Sequence, residues 1–265
     1  MTKIAVIADI HGNLEALKEV LKDIKLKGIK EIYCLGDIIG KGYHSKECID
    51  LVLENCSVLL KGNLEEYITK ENPNFNGEMR DFYINQLGKD YIKKINNLSF
   101  SHELYISGSL VRFFHASPTS LFKKTEYFDS YKDKINAFYP SDKTMSNEIA
   151  DIVIYADLHK QFMDRFYNRT LINIGSVGNA IEIIRDDLKD ASSMEVTKAF
   201  YLIIEGELNS KEYSNNLSFN FIRVPYDIEK ELENSKGLKE LDKFKIELRE
   251  AKPRNINELK EKFDI

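Results

Sequence analysis

The first thirteen residues constrain the fold of this chain more than any other stretch. The run Ile4–Ile7 is apolar and β-branched, a pattern that predicts a buried strand. Asp9 and His11 follow the run, and Gly12-Asn13 then signals a turn and the start of a helix. An acid and an imidazole two residues apart at the carboxyl end of a strand can face one crevice, where open α/β sheets bind ligands. This strand end is therefore a candidate site.

Strand patterns alternate with helical patterns through the first quarter of the chain. Apolar residues recur at helical spacing in residues 13–27, which predicts an amphipathic helix. Strands are predicted at 31–35 and 57–60, with a second helix between them. Alternation of this kind with short connections predicts parallel strands joined by right-handed crossovers.

The remaining sequence combines further strands with less regular segments. Apolar runs predict strands at 104–107, 110–114, 151–155, 170–174, 199–204 and 218–224. Segments without strand character are read as a helical excursion (66–100), a loop-rich insertion (119–148) and a helical C-terminal tail (227–265). Because no repeat or linker separates independent units, we predict one domain covering residues 1–265.

Composition narrows the classes of function and the compartment. The net charge is −5 with 31% charged residues, which argues against binding of nucleic-acid polymers or anionic membranes. No apolar run approaches the ~20 residues of a membrane helix, and no signal peptide is recognised. Cys34, Cys48 and Cys56 have no paired spacing, which suits reduced thiols in a reducing cytosol. We expect a cytoplasmic globular protein and leave homo-oligomerisation open.

Polar residues recur at the ends of the predicted strands. The set is Asp9, His11, Asp37, Asn63, His115, Asp157 and His159. Oxygen and imidazole donors without thiolates suit Mn, Fe, Zn or Mg rather than a structural zinc site. The set exceeds the needs of one ion, and a carboxylate such as Asp37 can bridge two. Two ions ~3.5–4 Å apart can clamp both oxygens of an in-line displacement at phosphorus. The alternative assigns the acids to turns and the histidines to a polar core, and it fits single residues better than the set.

The order of these motifs resembles that of a known family. Over residues 1–180 the chain presents Asp9-Ile-His11, Gly36-Asp37, Gly62-Asn63-Leu64-Glu65, His115 and Ala156-Asp157-Leu158-His159. The series resembles the motifs of the calcineurin-like metallophosphoesterases, namely D-x-H, G-D-x-x-x-G, G-N-H-D/E, a lone His and G-H-x-H. The resemblance implies an α+β fold, a four-layer αββα sandwich of two mixed β-sheets flanked by helices.

The resemblance also implies roles for the strand-end residues and a cofactor. Asp9, His11 and His159 would hold the first metal. Asp37 would bridge, and Asn63, His115 and Asp157 would hold the second. The expected cofactor is two divalent metal ions, Mn or Fe first, with Mg, Zn or Ni as alternatives.

This chain departs from the family motifs at two positions. Asp157 stands where the family has histidine, and an oxygen donor favours harder ions such as Mn²⁺ or Mg²⁺. Leu64 replaces the histidine of G-N-H, which in the family is thought to help the leaving group or stabilise charge. No side-chain chemistry is left at that position.

A looser match concerns a subgroup of the family. The pattern G-N-x-E, a following helical stretch and the segment 223–227 are similar to a bacterial subgroup that includes asymmetrical diadenosine tetraphosphate hydrolases and phosphodiesterases. The predicted function is hydrolysis of phosphodiester or phosphoanhydride bonds of small nucleotides, including dinucleoside polyphosphates, by in-line attack of a hydroxide that the metals supply. The alternative is a non-catalytic nucleotide- or phosphate-binding protein on the same fold. A protein phosphatase is a third reading, without a visible docking surface for polypeptides.

Further residues are predicted to act at the site. Catalytic roles are predicted for Asp37 and Asn63, and His44 follows the metal-bearing loop and could replace the lost imidazole; alternatively it is a solvated residue before a helix. The predicted substrate contacts are Asn13, Lys123 and Lys124, the lysines because they could meet polyphosphate charge.

The aromatic residues near these positions have two possible interpretations. Tyr43, Tyr127 and Phe128 could stack on a base, as aromatic residues do in nucleotide sites, or could pack within the fold.

Overall fold

The computed structural model describes residues 1–70, 77–181 and 198–251, and within them it forms two five-stranded sheets. The first sheet has the spatial order β10 (Ser218–Val224), β9 (Ala199–Gly206), β1 (Thr2–Ile7), β2 (Glu31–Cys34), β3 (Val58–Leu59). The second has the order β4 (Ser101–Ile106), β5 (Ser109–Phe114), β6 (Ile152–Tyr155), β8 (Arg169–Ile174), β7 (Gln161–Phe166). The helices are α1 (Leu14–Leu26), α2 (Ser45–Asn55), α3 (Asn63–Thr69), α4 (Gly77–Asn96), α5 (Tyr131–Lys134), α6 (Ile228–Asn234) and α7 (Leu241–Glu250).

Both sheets are mixed. β1, β2 and β3 run parallel, as the strand–helix alternation predicts, and β9 and β10 extend the sheet antiparallel. In the second sheet β5, β6 and β8 run parallel, while β4 and β7 pair antiparallel at the two edges. The carboxyl ends of the parallel strands in each sheet therefore lie at one edge, where strand-end residues can meet.

Alternation along the strands builds the layers. Ile4 and Val6 of β1 belong to the core between the two sheets, together with residues of β5, β6 and β8. Ala5 and Ile7 of the same strand pack instead with residues of α1, α2, α6 and α7. Because strand side chains alternate between faces, one apolar run serves two cores. Burial of each large aliphatic side chain contributes about 1.5–3 kcal/mol.

The outer face of the second sheet is covered by the insertion between β5 and β6. Phe114 and Tyr155 pack there with Phe138, which belongs to a short 3₁₀ helix, Ile135–Phe138. The fully buried Arg112 ties this cover down, because its guanidinium donates to the carbonyl oxygens of Phe138 and Glu148. The predicted αββα sandwich of two mixed sheets between helical layers is confirmed.

Most residues of the three less regular segments lie within the part of the chain that the structure describes. The helical excursion contains α3 and α4, and α4 is interrupted at Gly88, which has a left-handed φ of 75°. The insertion is largely loop, with α5 and the 3₁₀ helix inside it, and the tail contains α6 and α7. Residues 71–76 of the excursion and 252–265 of the tail lie outside the described residues. None of the described helices is long and apolar enough to cross a membrane.

Candidate metal centre

Segments at the carboxyl ends of β1, β2, β3, β5 and β6 bring the predicted ligands into one cluster, which is buried except for the half-buried Asn63. The seven side chains are Asp9, His11, Asp37, Asn63, His115, Asp157 and His159. Both sheets contribute, because the first supplies the residues up to Asn63 and the second supplies the rest. The cluster therefore lies where the two sheets meet at their strand ends.

The backbone at these strand ends is strained. Five residues of the cluster have a left-handed φ between 51° and 67°; they are Asp9, His11, Asp37, Asp157 and His159. The left-handed region costs a non-glycine residue roughly 1–2 kcal/mol. Strain of this kind persists only where the surroundings enforce it, and it concentrates at functional sites. We infer that the fold sustains this cost to aim the side chains at a common point.

One group of donors forms around Asp9. The Asp9 Oδ1 atom lies 3.5 Å from His159 Nε2 and 3.8 Å from His11 Nε2, and the two Nε2 atoms are 3.0 Å apart. His159 Nδ1 lies 2.6 Å from the carbonyl oxygen of Asn179, to which it donates, so Nε2 presents its lone pair to the cluster. Burial lowers the pKa of His159 well below its usual value. A neutral imidazole held in one tautomer is the form that ligates metals.

A second group of donors surrounds His115. Its Nε2 atom lies 3.1 Å from Asn63 Oδ1, 3.5 Å from Asp37 Oδ1 and 3.7 Å from Asp157 Oδ1. Its other nitrogen, Nδ1, donates to the carbonyl oxygen of Leu35 at 2.9 Å. Asn63 is the first residue of α3, so the helix start fixes its position. This group contains three oxygen donors and one imidazole.

Two carboxylates connect these groups. Asp37 Oδ2 lies 3.7 Å from His11 Nε2, while Asp37 Oδ1 faces His115. Among the described residues, Asp9 belongs to both sets of donor atoms that lie within 4.8 Å of one another, Asp9–His11–His159 and Asp9–Asp37–His115. The prediction from the sequence gives the bridging role to Asp37 alone. It gives no sign that Asp9 also faces both groups.

The charge balance of the cluster fits bound cations. Asp9 Oδ1 is fully buried and has no hydrogen-bond partner in the described part of the chain. Burial raises the pKa of Asp9 to about 7 and that of Asp37 well above its usual range. Burial alone would lower the pKa of His115, but Asp37 and the neighbouring acids raise it to about 10. Buried carboxylates are stabilised by nearby positive charge, which divalent ions would supply. The oxygen and imidazole donors of the cluster fit such ions.

Asp157 differs from the other acids of the cluster. Burial would raise its pKa, but the hydrogen bond from His115 and the charge of Lys124 lower it to about 2. Its backbone N–H also donates to Asp9 Oδ2 at 3.0 Å. Asp157 is therefore held as a carboxylate within reach of the second group.

Glu65 has no role in the sequence-based prediction beyond its place in the motif, yet it organises the centre. Its buried carboxylate accepts the backbone N–H groups of Asp37, Ile38 and Gly62 at 2.8 Å each, and that of Ile39 at 3.2 Å. Gly62 must be glycine, because a Cβ there would lie 2.2 Å from Asp37 Oδ1. The G-N-x-E motif thus joins the loops that follow β2 and β3.

Two lysines border the cluster. Lys123 and Lys124 are both exposed, and Lys124 Nζ lies 3.5 Å from Asp157 Oδ2. Contact of either lysine with a substrate stays a prediction. Lys41 was not predicted; its Nζ donates to Asn179 Oδ1 at 2.9 Å, and its charge helps to lower the pKa of His159. The only sequence signal for Lys41 is its place between two glycines of the loop after β2.

The structure places His44 away from these contacts. His44 precedes α2, and its Nδ1 lies 3.1 Å from Glu231 Oε1 of α6. Its ring packs edge-on against Tyr43. In the described part of the chain, the His44 ring thus contacts Tyr43 and Glu231 of α6 rather than the candidate ligands. A catalytic role for His44 stays a prediction that this placement does not favour.

The structure argues against substrate binding by Asn13. Its amide oxygen accepts from Ala16 N at the start of α1, and its amide nitrogen donates to Gly178 O and to Tyr226 Oη. Asn13 is also fully buried. Because both amide hydrogens are used within the fold, Asn13 acts as a helix cap and a tie between segments.

Comparison with known proteins agrees with this geometry. Residues 2–161 match the model of the family described as calcineurin-like phosphoesterases, and the chain belongs to that family. It is therefore a metal-dependent phosphoesterase, and the family implies divalent metal ions. A relative in Methanocaldococcus jannaschii, described as uncharacterized protein MJ0912, is 32% identical over 244 residues, which cover 87% of this chain and 90% of the relative.

Two crystal structures show the same fold. The first is a metallophosphoesterase from Sphaerobacter thermophilus, with 21% identity, a TM-score of 0.67, and coverage of 93% of this chain and 98% of that one. The second is the hypothetical protein PH1004 from Pyrococcus horikoshii, with 17% identity, a TM-score of 0.72, and coverage of 96% and 100%. At these identities the likeness concerns the fold alone.

Proposed function

We propose that this protein is a dinuclear phosphoesterase that hydrolyses phosphodiester or phosphoanhydride bonds of small nucleotides. The observation that carries the proposal is the position of the Asp37 carboxylate. Its two oxygens face His11 and His115, which belong to different donor groups. One carboxylate between two groups suits a pair of ions rather than a single one.

The roles of the ligands follow from the two groups. Asp9, His11 and His159 would hold the first ion, Asn63, His115 and Asp157 would hold the second, and Asp37 would serve both. When bound, the ions supply a nucleophile near neutral pH and neutralise charge on the phosphoryl oxygens. The Nδ1 hydrogen bonds of His115 and His159 keep both rings in the ligating tautomer.

Two residues of the chain support nucleotides as substrates. Lys124 lies beside Asp157 at the second group, where its ammonium can bind a phosphate oxygen of the substrate. Leu64 follows the ligand Asn63 and offers no proton to a leaving group. A nucleoside phosphate leaves as a stable anion and does not need that proton, because its second pKa is roughly 6. The motif G-N-x-E further supports substrates of the diadenosine tetraphosphate type.

A second candidate, a non-catalytic nucleotide- or phosphate-binding protein, is favoured by the same Leu64 and by Asp157. The complete ligand set opposes it, because binding alone does not require two ion sites.

The test is a panel of nucleotides and aryl phosphates, assayed with each of Mn²⁺, Fe²⁺, Mg²⁺ and Zn²⁺. Asp37→Asn should abolish hydrolysis and lower the metal content while circular dichroism shows an intact fold. Asp242→Asn, which changes an exposed acid of α7, is the matched control. Near wild-type turnover with two bound ions in Asp37→Asn would contradict the dinuclear proposal. Nucleotide binding without hydrolysis under every metal would favour the second candidate.

A further inference from the structure

An aromatic pair lies next to the second donor group. The rings of Tyr67 and Phe122 are 4.8 Å apart between centroids, with an angle of 58° between their planes. Tyr67 lies on α3, four residues after Asn63. Residues four apart share one face of a helix, one turn or about 5.4 Å along its axis. Tyr67 therefore follows the ligand Asn63 on the same face of α3.

Phe122 comes from the loop after His115, and hydrogen bonds hold that loop in place. Ser117 Oγ donates to Ser120 O at 2.9 Å and accepts from Ser120 N at 3.1 Å. The Phe122 backbone N–H in turn donates to Ser120 Oγ at 3.1 Å. Phe122 is nevertheless 44% exposed. The loop thus holds a large apolar ring at the surface in a fixed position.

Lys124 connects the aromatic pair with the donor cluster. It lies two residues after Phe122, and its ammonium is 3.5 Å from Asp157 Oδ2. The segments around the second donor group therefore carry candidate metal ligands, an ammonium group and two aromatic rings. A nucleotide has parts that match these groups, because its phosphate is linked through a sugar to a planar base.

We propose that Tyr67 and Phe122 form a subsite that stacks the base of a nucleotide whose phosphate lies at the metal centre. This inference rests on the proposed function and names the two residues that would recognise the base. Stacking on aromatic rings accepts any base, since every base has a π face, and typically contributes about 1–3 kcal/mol per base. The subsite therefore selects for the presence of a base rather than for its identity.

Other exposed aromatic residues fit this role less well. Of the three candidates from the sequence, Tyr43 packs against His44 and Phe82. Tyr127 and Phe128 pair with each other at 5.1 Å, and Lys160 Nζ covers the Tyr127 ring at 4.0 Å. Tyr131 stacks on Phe166 at the outer face of the second sheet. Phe122 is exposed and Tyr67 half-buried, and both belong to segments that carry candidate ligands, Tyr67 to the helix of Asn63 and Phe122 to the loop after His115.

The test compares two ligands that differ only in the base. AMP and ribose 5-phosphate are titrated calorimetrically into Mn²⁺-loaded protein. The wild type should prefer AMP, and Phe122→Ala and Tyr67→Ala should each reduce this preference roughly 5- to 150-fold. Phe122→Tyr and Tyr67→Phe should restore it. Tyr131→Ala is the matched control, since it removes an exposed ring from an aromatic pair elsewhere in the fold.

A merely structural pair gives a different result. If the contact only joins α3 to the loop after His115, the alanine variants lower the Tm and weaken the binding of AMP and of ribose 5-phosphate equally. That result would overturn the proposal. An unchanged preference for AMP, or a wild type without one, would overturn it as well. Hydrolysis of a nitrophenyl phosphodiester by the wild type is measured separately. A wild type that hydrolyses the diester but shows no base preference retains the proposed function and loses the subsite.

Discussion

The buried carboxylate of Glu65 accepts the backbone N–H of Asp37 at 2.8 Å, which places an acid without a ligand role directly behind the proposed bridging ligand. The same carboxylate also accepts the N–H of Gly62, the residue before Asn63. One side chain therefore joins the two loops that carry the candidate ligands Asp37 and Asn63. The Asp37 carboxylate in turn accepts the backbone N–H of Leu64 at 2.8 Å, so a second hydrogen bond joins the loop of Asp37 to the start of α3.

Glu65→Gln should destabilise the metal-free protein by roughly 1–3 kcal/mol, because an amide cannot accept all the backbone N–H groups that the carboxylate accepts. Metal affinity should fall with it, since the loops of Asp37 and Asn63 lose their common anchor. Urea unfolding and metal titration measure the two effects. Glu66→Gln is the control, because Glu66 forms surface ion pairs with Lys61 and Lys70 that contribute about 0–1 kcal/mol. Equal losses of stability and of metal affinity in the two variants would contradict the anchoring role of Glu65.

The pair of His44 with Glu231 predicts a dependence of stability on pH. Burial lowers the pKa of His44, but the hydrogen bond and charge of Glu231 outweigh it, with Glu47 adding to the rise and Lys18 opposing it, so the pKa lies above the usual 6.5. A folded pKa above the unfolded one means that the stabilisation is complete below the unfolded pKa. It is lost as pH rises through the folded pKa.

The free energy of unfolding of the wild type should therefore exceed that of His44→Gln by roughly 1–3 kcal/mol at acidic pH, and the difference should shrink as pH rises. His102→Gln serves as the opposite control. Burial lowers the pKa of His102, so the difference between the wild type and that variant should grow with pH up to the unfolded pKa. Chemical unfolding across this range measures both. A His44→Gln difference that does not vary with pH would rule out the charged pair.

The ligand positions could be predicted because each lies where an apolar run ends. Asp9 and His11 follow β1 directly, and this local pattern survives in the sequence without any knowledge of packing. The left-handed φ of both residues, 52°, is imposed by the tertiary structure and leaves no trace in the residue types. The sequence therefore identifies which residues meet but gives no indication of the strain at the meeting point.

The parts that sequence reasoning missed depend on contacts between distant segments. Lys41 contacts Asn179, more than a hundred residues away, and no local pattern reports such a pairing. Strand β7 escaped prediction because it lies half-exposed at an edge of the second sheet and its sequence, QFMDRF, has neither a continuous apolar run nor a strict alternation. The helix pattern places Asn13 near the site, but only the fold shows that its amide is used by Gly178 and Tyr226.

The ligand set at the second group predicts a change of metal preference on substitution. Asp157 offers oxygen where an imidazole would favour zinc, so Asp157→His should raise the affinity of that site for Zn²⁺ relative to Mn²⁺. Competitive metal titration of the two proteins measures the shift. Asp151→His, which alters an acid just before β6, is the control. Indistinguishable titrations of wild type and Asp157→His would show that Asp157 is not a ligand.

Leu64 predicts which leaving groups the enzyme can expel. An alkoxide needs a proton donor, because its conjugate acid is about as weak as water, whose pKa is ~15.7. A histidine at this position would contribute about 10²–10⁴-fold as a general acid, whereas leucine contributes nothing. We therefore expect efficient cleavage of dinucleoside polyphosphates and nitrophenyl phosphodiesters, and poor cleavage of phosphoserine and sugar phosphates.

Leu64→His should reduce the difference in kcat/KM between aryl and alkyl phosphodiesters. It should raise kcat/KM for the alkyl substrate and change that for the aryl substrate much less. The position tolerates the test, because Leu64 is only half-buried at the start of α3 and its N–H, which donates to Asp37, is kept. Leu64→Met is the matched control for side-chain shape. Similar kcat/KM for the aryl and alkyl substrates in the wild type would contradict the prediction, because another acid would then protonate the leaving group. His44→Gln would show whether that acid is His44, which would have to leave Glu231 to reach the substrate.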